Sequence, residues 1–129
     1  MRIEHIAIWV KDIESMKDFY CRYFNAVAGK KYINPRKQFE SYFLSFDDGG
    51  RLELMSMPNI PATLNDEYKQ FTGLVHFALS TGDEKKVNEL TKQLVIDGFE
   101  LLDGPRWTGD GYYESVILDP EKNRIEITT

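Results

Sequence analysis

His5-Ile6-Ala7-Ile8, near the start of the 129-residue chain, is answered by His76-Phe77-Ala78-Leu79 in the second half. Arg51-Leu52-Glu53-Leu54 is answered in the same way by Arg124-Ile125-Glu126-Ile127. The histidines stand 71 residues apart and the glutamates 73. Each half therefore carries one His on an early apolar strand and one Glu on a late one. His5 and His76 are the only histidines in the sequence. Two imidazoles and two carboxylates form a common nitrogen and oxygen shell for a divalent metal.

The neighbouring sequence gives each half the same element order. Residues 3–10 alternate and are rich in β-branched side chains, which predicts a strand. Ile6, Ile8 and Val10 take one face; His5, Ala7 and Trp9 take the other. Asp12 is placed to cap a helix over residues 13–24, with Ile13, Met16, Tyr20, Tyr23 and Phe24 covering the Ile6/Ile8/Val10 face. Extended segments follow at 27–32, 39–46 and 51–56. The last two are joined by Asp47-Asp48-Gly49-Gly50, a hairpin-type turn. Pro58 and Pro61 mark a linker over about 58–72, in which residues 64–71 are expected to form a short helix.

The second half repeats this order. A strand is expected at 74–80. Thr81-Gly82-Asp83-Glu84 has the capping-box pattern, with Thr81 as N-cap. The helix that follows runs to about Asp97, burying Val87, Leu90, Leu94 and Val95, and Gly98 suits its stop. A short strand at 99–102 leads to a loop from Gly104-Pro105 to Gly109-Asp110-Gly111. Strands at 112–118 and 124–128 flank the turn Asp119-Pro120-Glu121-Lys122-Asn123. The expected class is α+β: two tandem βαβββ modules forming a curled mixed sheet with a concave metal-site face. The modules span about 1–57 and 73–129 of a single domain, 1–129. The unlike turns, Gly49-Gly50 against 120–123, predict that the Arg-x-Glu register differs by about one residue between halves.

Composition narrows the function. A net charge of −5 and a pI near 5.0 oppose a nucleic-acid role, which needs a basic stripe. No Lys/Arg run suggests a membrane surface, and no apolar stretch is long enough to span a bilayer. The N-terminus lacks a signal-peptide apolar core. Cys21 is the single cysteine, so no internal disulfide forms and a reducing, cytoplasmic setting is expected.

Strand parity puts His76 with Ala78 and Ser80, Glu53 with Arg51 and Met55, and Glu126 with Arg124 and Thr128. In each strand the apolar set can lie under a helix and the metal-capable residue takes the other face. Taken singly, a strand His is more often a hydrogen-bonded structural residue and a strand Glu a solvated one. The Arg-x-Glu pairs also read as surface ion pairs of small energetic weight. Recurrence at equivalent places in two halves is what one pseudo-symmetric site would produce.

On His5-Ile6-Ala7-Ile8, Arg51-Leu52-Glu53-Leu54, Gly73-Leu74-Val75-His76-Phe77-Ala78 and Asp119-Pro120-x-x-Asn123-Arg124-Ile125-Glu126, the chain resembles the vicinal oxygen chelate superfamily. That group includes glyoxalase I, methylmalonyl-CoA epimerase, fosfomycin-resistance thiol transferases, extradiol dioxygenases and bleomycin-binding proteins. The resemblance covers essentially the whole chain and implies paired βαβββ modules and a homodimer. In bacterial glyoxalase I the matching positions hold the metal, which implies His5, Glu53, His76 and Glu126 as ligands here. The four can be drawn from one chain or from two facing chains. The retained His, Glu, His, Glu set is nearer to glyoxalase I than to the epimerase or the bleomycin binders.

Such an ion, zinc, nickel, cobalt or manganese, leaves positions open for substrate and acts as a Lewis acid. The implied reaction is proton abstraction alpha to a carbonyl with a metal-stabilised enediolate, of the lyase or isomerase type. By resemblance, Glu126 is the first candidate base and Glu53 the second. Trp9 stands where bacterial glyoxalase I usually has an Arg that holds glutathione, and it cannot form that ion pair. Trp9 and Met55 imply a more apolar pocket, or else ordinary packing. Trp107 with residues 109–113 reads as a flap over that pocket or as a plain hairpin turn. Two alternatives remain beside the glyoxalase-like enzyme: a small-molecule or antibiotic-binding protein, and a metal-dependent thiol transferase.

Overall fold

Asp12 starts the first helix as its sequence position requires. Its carboxylate accepts a hydrogen bond from the Ser15 amide at 3.0 Å, and helix α1 runs Ile13–Phe24. Asn25 closes it in the left-handed region, φ 54°, a conformation Asn tolerates. These details come from a computed structural model, which describes residues 1–47 and 49–129. Asp48 of the expected hairpin turn lies outside the described residues.

The chain divides into two compact units, Met1–Thr63 and Leu64–Thr129. The first contains β1 (His5–Trp9), α1, β2 (Val27–Ala28), β3 (Tyr32–Asn34), β4 (Phe39–Ser45) and β5 (Arg51–Ser56). β5 is central, parallel to β1 and antiparallel to β4, and both β2 and β3 pair with β4. Ile13, Met16, Phe19 and Tyr20 of α1 are buried, as are Leu44, Leu52 and Leu54 on the sheet face beneath. Phe19 takes the inward place expected for Tyr23 and Phe24, which are only half-buried. Each fully buried Leu in this layer contributes about 1.5–3 kcal/mol of hydrophobic stabilisation.

The second unit contains β6 (Phe77–Ser80), α2 (Glu84–Ile96), β7 (Leu101–Trp107), β8 (Tyr113–Leu118) and β9 (Arg124–Thr128), in sheet order β6-β9-β8-β7. Here β9 is parallel to β6 and antiparallel to β8. Val87, Thr91 and Leu94 of α2 pack toward Ile117, Ile125 and Ile127. The α+β class is as expected and the second unit is a βαβββ module; in the first, the single strand expected at 27–32 is replaced by two short ones, β2 and β3, and each unit has its own mixed sheet.

Several local expectations are corrected. Asp83, not Thr81, caps α2, its carboxylate accepting from the Lys86 amide at 2.9 Å. Thr81 is held by the sheet instead: its amide donates to the Thr128 carbonyl at 2.8 Å. Thr91 replaces Val95 on the buried face, and Val95 is 45% exposed. No helix forms at 64–71; the Asp66 carboxylate accepts from the Tyr68 and Lys69 amides at 2.8 and 2.7 Å and closes a side-chain turn. The segment expected as a loop from Gly104 to Trp107 belongs to β7. That strand is a sheet edge, where Pro105 needs no ladder donor, and its register shifts between Leu101 and Arg106. Gly104 is required there, because at φ 80° an added Cβ would lie 2.4 Å from the Glu114 carbonyl oxygen. The expected register difference between halves is absent: Phe43 and Ser45 oppose Glu53 and Arg51 just as Val116 and Leu118 oppose Glu126 and Arg124.

Candidate functional site

In the first unit Glu53 lies on the central strand, flanked by Ala7 of β1 and Phe43 of β4. Side-chain alternation then places His5, Ala7, Trp9, Ser41, Phe43, Arg51, Glu53 and Met55 on the face away from α1. His5 Nε2 is 3.8 Å from Glu53 Oε2, and the Glu53 side chain is only 16% exposed. The other ring nitrogen, Nδ1, meets Glu4 Oε2 at 2.5 Å. Glu4 Oε1 accepts a hydrogen bond from Arg51. The Phe43 ring meets His5 edge-on at 5.4 Å and carries the Arg51 guanidinium 4.2 Å from its centre. The His5 hydrogen bond, aided by Arg51, holds the Glu4 carboxyl below the usual carboxylate range.

The second unit repeats this pairing. Glu126 is flanked by Ala78 of β6 and Val116 of β8. His76 precedes β6, and its Nε2 lies 3.2 Å from Glu126 Oε2. Donors about 2.0–2.2 Å from one zinc-like ion, at right-angle to tetrahedral separation, stand about 2.8–3.6 Å apart. The His76/Glu126 pair has that spacing, and the His5/Glu53 pair is a few tenths of an ångström wider. The second pair thus has the spacing of two positions of a metal shell, and the first would have to close slightly to reach it. Among the described residues no group of three or more His, Cys, Asp and Glu side chains is placed to hold a metal. The structure brings the four expected ligands together as two pairs.

Glu114, which the sequence reading did not single out, lies beside Glu126. It shares the Glu126 face of β8, two residues before Val116, where the first unit has Ser41. Burial, followed by the nearby Glu126 charge, pushes its carboxyl above the usual range; the Arg106 guanidinium opposes this. Arg106 pairs with Glu114 across β7 and β8 and is itself bound to Asp103. Period-two alternation over 112–118 would have placed Glu114 beside Glu126.

Trp9 is 42% exposed, its ring 6.0 Å from that of Phe39, and it stands beside Met55 in the β1–β5 register. Trp107 lies elsewhere. It opposes Tyr113, whose hydroxyl donates to Asn88 of α2, and the two rings are 5.4 Å apart. Trp107 is therefore on the α2 side of its sheet, opposite to Glu126. Residues 108–112 close a plain hairpin turn, with the Thr108 amide donating to the Tyr112 carbonyl at 2.8 Å.

Each unit thus presents one His/Glu pair on the sheet face away from its helix. The model of the Glyoxalase/Bleomycin resistance protein/Dioxygenase superfamily matches residues 2–127, and the chain belongs to that superfamily. It is 26% identical over 129 residues to the uncharacterized protein YqjT of Bacillus subtilis (strain 168), covering 97% of this chain and 96% of that one. Its fold is similar to that of the trypanothione-dependent glyoxalase I of Leishmania major, with a TM-score of 0.75 and 22% identity over 98% of this chain and 85% of that chain. A glyoxalase family protein from Enterococcus faecalis gives a TM-score of 0.77 and 22% identity over 99% and 97% of the two chains. A glyoxalase/bleomycin resistance protein/dioxygenase domain from Frankia sp. EAN1pec gives 0.81 and 14% identity over 99% and 96%. Among the described residues, no helix is long and apolar enough to cross a membrane.

Proposed function

We propose that the protein is a metal-dependent, glyoxalase I-like enzyme that abstracts and returns a proton alpha to a carbonyl. His5, Glu53, His76 and Glu126 are its divalent metal ligands, and the working assembly is a homodimer. The observation that carries this reading is the recurrence of a close His/Glu pair in both units at the same strand register. The ion, once bound, supplies Lewis-acid polarisation of the substrate carbonyl oxygen.

The remaining work falls to side chains. Glu126 takes the proton from the carbon beside the carbonyl and returns it, as a positioned carboxylate does in general acid–base catalysis. Its side chain is 15% exposed, which limits competing water. Glu53 is the second candidate for that role. Trp9 and Met55 give the substrate an apolar wall beside Glu53. Trp9 offers no cation, which supports a substrate other than a glutathione adduct.

The test is elemental analysis of the purified protein by sedimenting species, then turnover of methylglyoxal–thiol adducts and of apolar α-oxo compounds. Metal should be found on a dimer, and turnover should vanish on chelation and return on reconstitution. Glu126→Gln should keep the fold and lose turnover by at least about 100-fold. Full activity in Glu126→Gln removes that residue from the base role. Ligand binding that survives chelation, with no turnover, identifies a binding protein instead.

A further inference from the structure

We propose that Glu4 is a positioning residue that fixes the tautomer and orientation of His5, leaving Nε2 as the metal-facing nitrogen. This inference rests on the metal-site reading above and concerns a residue that reading does not use. His5 Nδ1 meets Glu4 Oε2 at 2.5 Å, while Nε2 is the ring nitrogen that faces Glu53. A carboxylate only accepts hydrogen bonds, so the Nδ1 position must carry the proton. Nε2 of the neutral ring is then a bare lone pair, the form a metal requires.

The surroundings hold Glu4 in this role. β1 begins at His5, so Glu4 is free of strand alternation and its side chain reaches the same face as its neighbour. Its second oxygen is bound by Arg51, the residue opposite His5 in the β1–β5 register. Phe43 packs against both the His5 ring and the Arg51 guanidinium. Arg51 thus serves as a clamp on Glu4, which gives the arginine of the first Arg-x-Glu a task beyond a surface ion pair. Partners of this kind set ligand basicity and orientation, and their loss typically weakens metal binding about 10–100-fold.

The experiment compares wild type, Glu4→Ala and Glu4→Gln by two readouts. In metal-free protein at about pH 8, where an ordinary imidazole is neutral, nitrogen-15 NMR reads the tautomer of each histidine. His5 should carry its proton on Nδ1 in wild type and in Glu4→Gln, whose amide oxygen still accepts. Glu4→Ala should shift it toward Nε2, with His76 unchanged as the internal reference. Zinc affinity by chelator competition should fall about 10–100-fold in Glu4→Ala and recover most of that loss in Glu4→Gln. A His5 tautomer indifferent to Glu4→Ala overturns the proposal, as does unchanged zinc affinity in that variant. Wild-type protein that takes up no zinc would refute the metal-site reading alone, because the tautomer comparison still decides the role of Glu4.

Discussion

Thr91 and Ser115 allow a sharp test of how α2 is fastened to the sheet that carries Glu126. Thr91 is 2% and Ser115 1% exposed, and their hydroxyl oxygens are 2.6 Å apart. The Thr91 hydroxyl also donates to the Val87 carbonyl at 2.7 Å. It has one proton, so the proton between the two hydroxyls must belong to Ser115. Thr91→Val therefore strands the Ser115 donor in the core, at a cost of about 1–3 kcal/mol. Ser115→Ala leaves Thr91 bonded to Val87 and should cost only about 0.5–1.5 kcal/mol. Removing both leaves no stranded donor, so the double variant should cost less than the two single costs added together, by about 1 kcal/mol or more. Urea unfolding followed by far-ultraviolet circular dichroism reads all four proteins. At a slope of about 2 kcal/mol per molar, a 2 kcal/mol loss moves the midpoint by about 1 M. Because α2 lies on the face opposite Glu126, zinc affinity of the folded variants should not change. Equal single-variant costs that add without coupling would refute the proton assignment.

Two further variants probe features away from the site. Lys17, then Lys31 and Tyr42, hold the Glu14 carboxyl at about 2, below its ordinary 4.5. The depressed value means that ionised Glu14 stabilises the fold above about pH 4.5 and loses that effect as pH falls through about 2. Half the side chain is exposed, so Glu14→Gln should cost only about 0.5–1 kcal/mol at pH 7. Urea midpoints of the two proteins should converge as pH drops through that window; a constant gap would refute the ion-pair account. Gly104→Ala should cost about 2–4 kcal/mol, from the left-handed backbone and the collision with the Glu114 carbonyl. A melting temperature equal to wild type would show that β7 yields there without cost.

Local signals were readable wherever one interaction dominated. The α1 bounds followed from the Asp12 cap and helical spacing, and the bounds of β5 and β9 from short alternating runs between turns. Misreadings arose where two interactions competed for one residue. Thr81 has a capping side chain, but its amide is taken by the sheet, so the cap passes to Asp83 two residues on. Gly104-Pro105 reads as a break only if the strand is assumed to be central. At an edge, the same pair is what lets β7 approach the Glu114 backbone. Val95 fits the apolar period of α2, yet Thr91 is buried because Ser115 supplies a partner that no one-dimensional pattern contains.

The site divides along the same line. The His/Glu pairs were legible because each residue repeats, and strand parity fixes the face of a residue inside a strand. Glu4 and Glu114 have no counterpart in the other half, so repetition hides them. Glu4 also sits one residue outside β1, where parity would have assigned it to the wrong face. Trp107 shows the converse error: a large exposed aromatic near a Gly-rich turn suggests a pocket, whereas its pairing with Tyr113 fixes it on the helix side. The two halves are therefore alike in the residues proposed to bind metal and unlike in what supports them. Glu4 and Arg51 buttress the histidine of the first pair, while Glu114 and Arg106 crowd the carboxylate of the second. The first pair is thus braced at its histidine, while the second has beside it a carboxyl, Glu114, that burial and the Glu126 charge hold above the usual range.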